Sequence, residues 1–230
     1  MAGIFYGVGV GPGDPELMTL KACRLIRENR VIALPGAKPE ETLAYRIAVQ
    51  AVPELADKQL LALTMPMTHD REKMEHSHRQ AAETVEQVLD QGENVVFLTL
   101  GDPTIYSTFS YVQQLVEQDG YSTEMVSGVT SFCAAAARVN KPLVCWNEPL
   151  HVVPAAHRLA ESLSDGGQYV LMKSGRRMKE VKEMLAASGR DVTAVENCGL
   201  AGERVYRGVE EIPDDAGYYS LVLAKQPKRD

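Results

Sequence analysis

Residues 4–21 read IFYGVGVGPGDPELMTLK, and the fold follows from this stretch. Ile4 to Val10 is apolar enough for a strand buried in a parallel sheet. It runs into Gly11-Pro12-Gly13, a turn without bulky side chains. Asp14 then stands as a helix N-cap and Pro15 as the first helical residue. A strand, a glycine turn and a capped helix make the first βα unit of an α/β domain. Ligands of such sheets sit beyond the carboxyl ends of the strands.

The turn is poorly built for a polyphosphate. Gly7, Gly9, Gly11 and Gly13 alternate, so the third glycine of a dinucleotide fingerprint falls on Pro12 or Asp14. No Lys followed by Ser or Thr completes a P-loop. Pro12 and Pro15 lack amide donors, and Asp14 puts a carboxylate where a phosphate needs positive potential. The ribose-binding acid of an NAD site, expected near the second strand, is absent. A ligand with hydroxyls, an adenine or a cation fits better, and an ordinary βα turn is the alternative.

At 230 residues the chain holds one or two domains. A net charge of −7 argues against general nucleic-acid affinity. No apolar run is long enough to span a bilayer, and no secretory signal is visible. Cys23, Cys133, Cys145 and Cys198 are far apart and read as reduced thiols of a soluble cytoplasmic protein.

Periodicity predicts helices over 17–28, 40–52 and 69–91, and strands over 31–34 and 59–64. His78 falls on the apolar face of the third helix and is expected as a partly buried, hydrogen-bonded side chain. His76 lies two residues away, around the helix, so the two form no metal pair. Asn94 to Leu100 is another apolar strand, ending in Gly101-Asp102-Pro103-Thr104-Ile105-Tyr106. This repeats the first design and places a second aspartate at the same sheet edge. Asp102 either caps its helix or accepts from ribose hydroxyls or amides, or faces a ligand cation. A fifth strand, 122–126, leads into Ser127-Gly128-Val129-Thr130-Ser131, where the hydroxyls cap the next helix or bind a polar ligand.

Residues 141–149 read as a crossover into a second domain, with strands at 151–153, 168–172, 192–195 and 219–224 and helices at 156–163 and 177–187. Lys173, Arg176, Arg177, Lys179 and Lys182 form either a solvated basic face or a receptor for carboxylates.

Together GVGPGDPELMTLKA, GDPTIYST, GVTSF, ENCG and YYSLVL, in this order and spacing, resemble the tetrapyrrole methylase family over nearly the whole chain. The wording of the first two motifs is most similar to the branch that methylates C20 of precorrin-2 or its cobalt form. One departure is Ser127, where the family usually has proline, which leaves that loop less rigid. The resemblance implies two α/β domains, 1–126 with a parallel sheet and 127–230 with a mixed sheet. It also implies S-adenosylmethionine in the cleft between them, a tetrapyrrole substrate and a homodimer, without a protein-bound metal. By motif, the cofactor residues it implies are Pro12, Gly101, Asp102, Ile105, Tyr106, Thr130, Ser131, Met172, Cys198, Ser220 and Leu221. Asp14, then Tyr106, are candidates for the base or for polarising the ring, with water the alternative acceptor of the departing proton; Arg177, Arg176, Lys173, Arg138 and Arg204 are candidate partners for substrate carboxylates. Methylation at another ring position and a non-catalytic nucleoside-binding module are the rival readings.

Overall fold

The computed structural model describes residues 2–66, 68, 70–154 and 166–226. The chain divides into two compact units, Met1–Thr130 and Ser131–Asp230.

The first unit runs β1 (Ile4–Gly9), α1 (Leu20–Glu28), β2 (Val31–Pro35), α2 (Leu43–Ala51), β3 (Gln59–Leu63), α3 (Arg71–Leu89), β4 (Val95–Thr99), α4 (Phe109–Gln118) and β5 (Ser122–Val126). Its sheet has the order β3-β2-β4-β1-β5 and every pairing is parallel. Apolar runs mark the middle of the sheet. Val31–Leu34 of β2 and Val95–Leu98 of β4 are fully buried, as strands covered on both faces must be. The edge strands β3 and β5 alternate more and are partly exposed. On one face Phe5, Phe97 and Phe109 form an aromatic trio with ring centroids 4.9–6.3 Å apart.

Helix starts follow side-chain caps more closely than the apolar period. Asp14 does act as an N-cap, its Oδ1 accepting from Glu16 N at 2.9 Å. It caps only a 3-10 turn, Pro15–Leu17, and not the α-helix expected from residue 17. Thr19 caps α1, accepting from Ala22 N at 3.1 Å, so Met18 of the expected apolar stripe precedes the helix. Likewise 40–52 splits into a 3-10 turn, Pro39–Glu41, and α2, because Thr42 caps anew. His78 is buried and stacks on Tyr111 of α4, ring centroids 4.9 Å apart.

The second unit comprises α5 (Ser131–Arg138), β6 (Leu150–Pro154), β7 (Gln168–Met172), α6 (Met178–Ser188), β8 (Asp191–Glu196), β9 (Arg204–Arg207) and β10 (Ser220–Lys225). The order is β6-β7-β10-β8-β9. Only β6 and β7 are parallel, so the sheet is mixed. Alternate residues of β7, β8 and β10 (Tyr169, Leu171, Val192, Ala194, Val222, Ala224) share a core with Met178, Val181 and Leu185 of α6. β9 was absent from the sequence reading: it is four residues long with arginine at both ends, an edge strand without a period to detect. The helix expected at 156–163 lies outside the described residues, as does His69. Among the described residues no helix is long and apolar enough to cross a membrane.

The strand order of the first unit creates one special place. The chain leaves β1 toward β2 on one side, passing β4, and leaves β4 toward β5 on the other, passing β1. The carboxyl ends of these two neighbours are therefore the point where connections diverge, the usual ligand position in such sheets. There the backbones touch. A Cβ on Gly128 would lie 2.1 Å from Gly101 O and 2.9 Å from Gly9 C; one on Gly9 would lie 2.4 Å from Gly101 O.

No flexible side chain is present to give way. Gly128→Ala is therefore expected to cost about 1–3 kcal/mol, read as a lower urea midpoint for unfolding; an unchanged midpoint would contradict the close approach. A second prediction concerns the end of α3. Burial, and then Asp119 facing it, pushes the Glu86 carboxyl above its ordinary 4.5, and its Oε1 has no partner among the described residues. Asp119 is held low by its ion pair with Arg79. The folded state thus holds the Glu86 proton more tightly than the unfolded chain, and stability from this group falls as pH rises above about 4.5. Glu86→Gln should raise the melting temperature at pH 8 and raise it less at pH 4; equal shifts at both would refute this.

Candidate functional site

In the first unit the two motif turns are bonded to each other. Val10 N donates to Thr99 O at 3.0 Å, Gly11 N to Gly101 O at 3.2 Å and Gly101 N to Gly11 O at 2.7 Å. Both glycines sit in the left-handed region, at φ +77° and +70°. Pro12 and Gly13 are buried behind this bridge, and Asp14 is half-buried at its rim.

Asp102 has a structural task. It is 7% exposed. Its Oδ1 accepts from Thr104 N at 2.8 Å and Thr104 Oγ1 at 2.5 Å, and its Oδ2 from Gly128 N at 3.0 Å. Of the partners open to it from sequence, backbone amides take the carboxylate, and they tie the loop after β4 to the loop after β5. Ile105 N closes the same turn onto Asp102 O at 3.2 Å. Tyr106 is half-exposed and held at φ +49°, an unfavourable conformation for an aromatic residue and a mark of an over-determined loop.

Ser107 was missed by sequence reasoning. It is buried, its Oγ lies 2.9 Å from Thr99 Oγ1 and accepts from the N–H of Phe109, the first residue of α4, at 3.2 Å. The signal was there: a serine two residues before the first buried residue of the helix. The Thr130 hydroxyl behaves differently. It is buried with no hydrogen-bond partner among the described residues, which removes the capping alternative for it.

In the second unit, Met172, Cys198, Ser220 and Leu221 lie at one end of the sheet. Ser220 pairs with Glu196, and Val222 with Leu171, so the start of β10 lies between the carboxyl ends of β7 and β8. Cys198, Ser220 and Leu221 are buried. Lys173 and Asn197, just beyond β7 and β8, have φ of +58° and +52°. Asn197 N donates to Tyr219 O at 3.2 Å. Glu196 accepts from Tyr206 Oη at 2.9 Å and Gly217 N at 2.7 Å. Burial, then this carboxylate, pushes the Tyr206 phenol up.

The basic residues come from several elements of the second unit. Arg138, at the end of α5, is bonded to Glu203. Arg177 pairs with Glu180 at 2.7 Å and Lys182 with Asp214 at 2.6 Å, so much of the run is a paired, solvated face. Arg204 opens β9 opposite Glu196. The Arg176 side chain lies outside the described residues. Glu203, another residue the sequence did not reveal, takes Arg138 on one oxygen and Gly199 N at 2.8 Å on the other. Burial pushes its carboxyl up, but the Gly199 amide and Arg138 together bring it below the ordinary value. It thereby holds the loop that carries Cys198.

The family model described as Tetrapyrrole (Corrin/Porphyrin) Methylases matches residues 5–213. A protein of Methanocaldococcus jannaschii named "Probable cobalt-precorrin-2 C(20)-methyltransferase" is 34% identical over 97% of this chain and 96% of its own length. A Sinorhizobium precorrin-2 C(20)-methyltransferase is 30% identical over 96% and 94%. Uroporphyrin-III C-methyl transferase of Thermus thermophilus, solved in complex with S-adenosyl homocysteine, is 21% identical and shares the fold. Its TM-score is 0.72 over 97% of this chain and 92% of that one. The chain belongs to the tetrapyrrole methylase family.

Proposed function

We infer that the protein is an S-adenosylmethionine-dependent methyltransferase that methylates C20 of precorrin-2 or cobalt-precorrin-2, a step of cobalamin biosynthesis. One observation carries this reading: near-full-length similarity, at 30–34% identity, to proteins bearing that name. The chemistry of the strand ends supports it. Glycines where backbones converge, buried hydroxyls at Thr130 and Ser220 without partners among the described residues, and no lysine after the first glycine turn suit a nucleoside better than a polyphosphate.

S-adenosylmethionine, when bound, supplies an electrophilic methyl group on a positively charged sulfur. In the first unit the residues proposed to hold it are Pro12, Gly101, Asp102, Ile105, Tyr106 and Thr130. In the second they are Ser131, Met172, Cys198, Ser220 and Leu221. Their contribution is orientation, since aligning donor and acceptor in line is worth about 7–11 kcal/mol. Asp102 serves at one remove, because its oxygens hold Thr104 and Gly128. The macrocycle provides the carbon nucleophile, so no Ser or Cys nucleophile is required. Asp14, whose Oδ1 already takes the Glu16 amide, is the first candidate to take the C20 proton or to polarise the ring; Tyr106 is the second candidate, and water is a further acceptor for the proton. Lys173, Arg176, Arg177, Arg138 and Arg204 are the proposed partners of the substrate carboxylates. The working form is a cytoplasmic homodimer without a metal of its own.

Calorimetry should show binding of S-adenosylhomocysteine. Turnover with metal-free precorrin-2 beside its cobalt form should place the new methyl on C20 by NMR. A product methylated elsewhere, or no binding, would overturn the reading. Asp14→Asn should lower turnover at least about tenfold while both ligands still bind; full turnover would remove Asp14 from proton transfer.

A further inference from the structure

Among the described residues, three hydroxyl oxygens are buried without a hydrogen-bond partner: those of Thr130, Ser174 and Ser220. Burying a hydroxyl unpaired is costly, so folded proteins rarely leave one without a partner or a role. Thr130 and Ser220 already stand among the cofactor residues. Ser174 belongs to none of the motifs the family resemblance rests on.

Ser174 and Ser220 nevertheless share a neighbourhood within the second unit. The antiparallel register that pairs Val222 with Leu171 carries Ser220 opposite Lys173, one residue before Ser174. The two serines are 1% and 2% exposed. The turn after β7 is locked onto the entry to β10: a Cβ on Gly175 would lie 3.1 Å from Gly217 C and from Tyr218 N. Gly217 is itself held by Glu196, and Ser220 N donates to Gly217 O at 3.2 Å. Met172, Cys198 and Leu221 supply apolar surface at the same end of the sheet. Left-handed Lys173 and Asn197 redirect the chain beyond both flanking strands. An apolar floor with a few enclosed polar groups is the usual make-up of a small-molecule site.

We propose that Ser174 is a second serine contact for the adenosyl group, acting beside Ser220, and that it sets affinity for the nucleoside and not for the tetrapyrrole. This rests on the methyltransferase reading above. A hydroxyl both donates and accepts, as do the ribose hydroxyls and the nitrogen edge of adenine, so each serine finds in the ligand the partner that none of the described residues provides.

The test is calorimetric titration of S-adenosylhomocysteine into wild type, Ser174→Ala and Ser220→Ala, with the unfolding midpoint of each ligand-free protein. Removing an unpaired hydroxyl should leave the ligand-free midpoint unchanged or higher. Affinity should fall roughly five- to tenfold in each variant, with KM for the tetrapyrrole unmoved. Ser174→Cys, which keeps the volume and weakens the donor, should show the same loss and serves if Ser174→Ala does not fold. Wild-type affinity in the Ser174 variants would mean that the hydroxyl holds only a buried water, and would overturn the proposal. So would a lowered midpoint without loss of affinity, the mark of a purely structural serine. A wild-type protein that binds no S-adenosylhomocysteine would overturn the methyltransferase reading and this proposal together. A wild type that binds, beside variants that bind equally, overturns the Ser174 assignment alone.

Discussion

Three backbone segments meet without side chains at the carboxyl edge of the first sheet, and one buried carboxylate fastens them. Gly9, Gly101 and Gly128 approach until no Cβ fits between them, and Asp102 bonds the second loop to the third through the Gly128 amide. Parallel strands cannot be joined by hairpins, so each of these loops comes from a separate βα crossover and nothing local keeps them together. The fastening must come from cross-loop bonds, and a carboxylate accepting from amides is among the stronger of these. Ser127 gains meaning here. Proline at that position would restrict one φ angle. In this chain the neighbouring Gly128 amide, held by Asp102, restrains the loop from across the sheet edge.

Charge is distributed with similar economy. In a chain of net charge −7, several basic side chains are already paired with carboxylates. Arg138 is bound by Glu203, Arg177 by Glu180 and Lys182 by Asp214. Exposed pairs of this kind contribute little to stability, so an incoming carboxylate can exchange for Glu180 or Asp214 at little cost. Glu203 is different. Its side chain is mostly buried and its second oxygen holds Gly199, so displacing it would also release the Cys198 loop. Arg138 is thus less available to a substrate than Arg177, and a run of basic letters alone does not separate a receptor from a brace.

The central strands of the first sheet were legible because buried parallel strands are written as unbroken apolar runs; the more polar edge strand 122–126 and the mixed-sheet strand 168–172 also match their strands residue for residue. Helix starts were less so, since a threonine cap at Thr19 or Thr42 outweighs an apolar period that begins earlier. β9 had no period to read. Among site residues, the sequence singled out the glycines and Asp102 because backbone approach and loop capping demand those residue types. Ser107, Ser174 and Glu203 were missed because their roles depend on partners distant in the chain or on burial, and serine and glutamate are ordinary letters at the surface.

The mixed order of the second sheet completes the reasoning from fold to chemistry. β10 enters between β7 and β8 and runs against both, so its first residues lie beside the last residues of its neighbours. An all-parallel sheet would put a strand's amino end at the far edge, away from the loops that bind. Here the reversal brings Ser220 and Leu221 to the same edge as Met172 and Cys198. A short strand of ordinary sequence thereby gains two residues at the edge proposed to bind the nucleoside, which topology confers and composition does not announce.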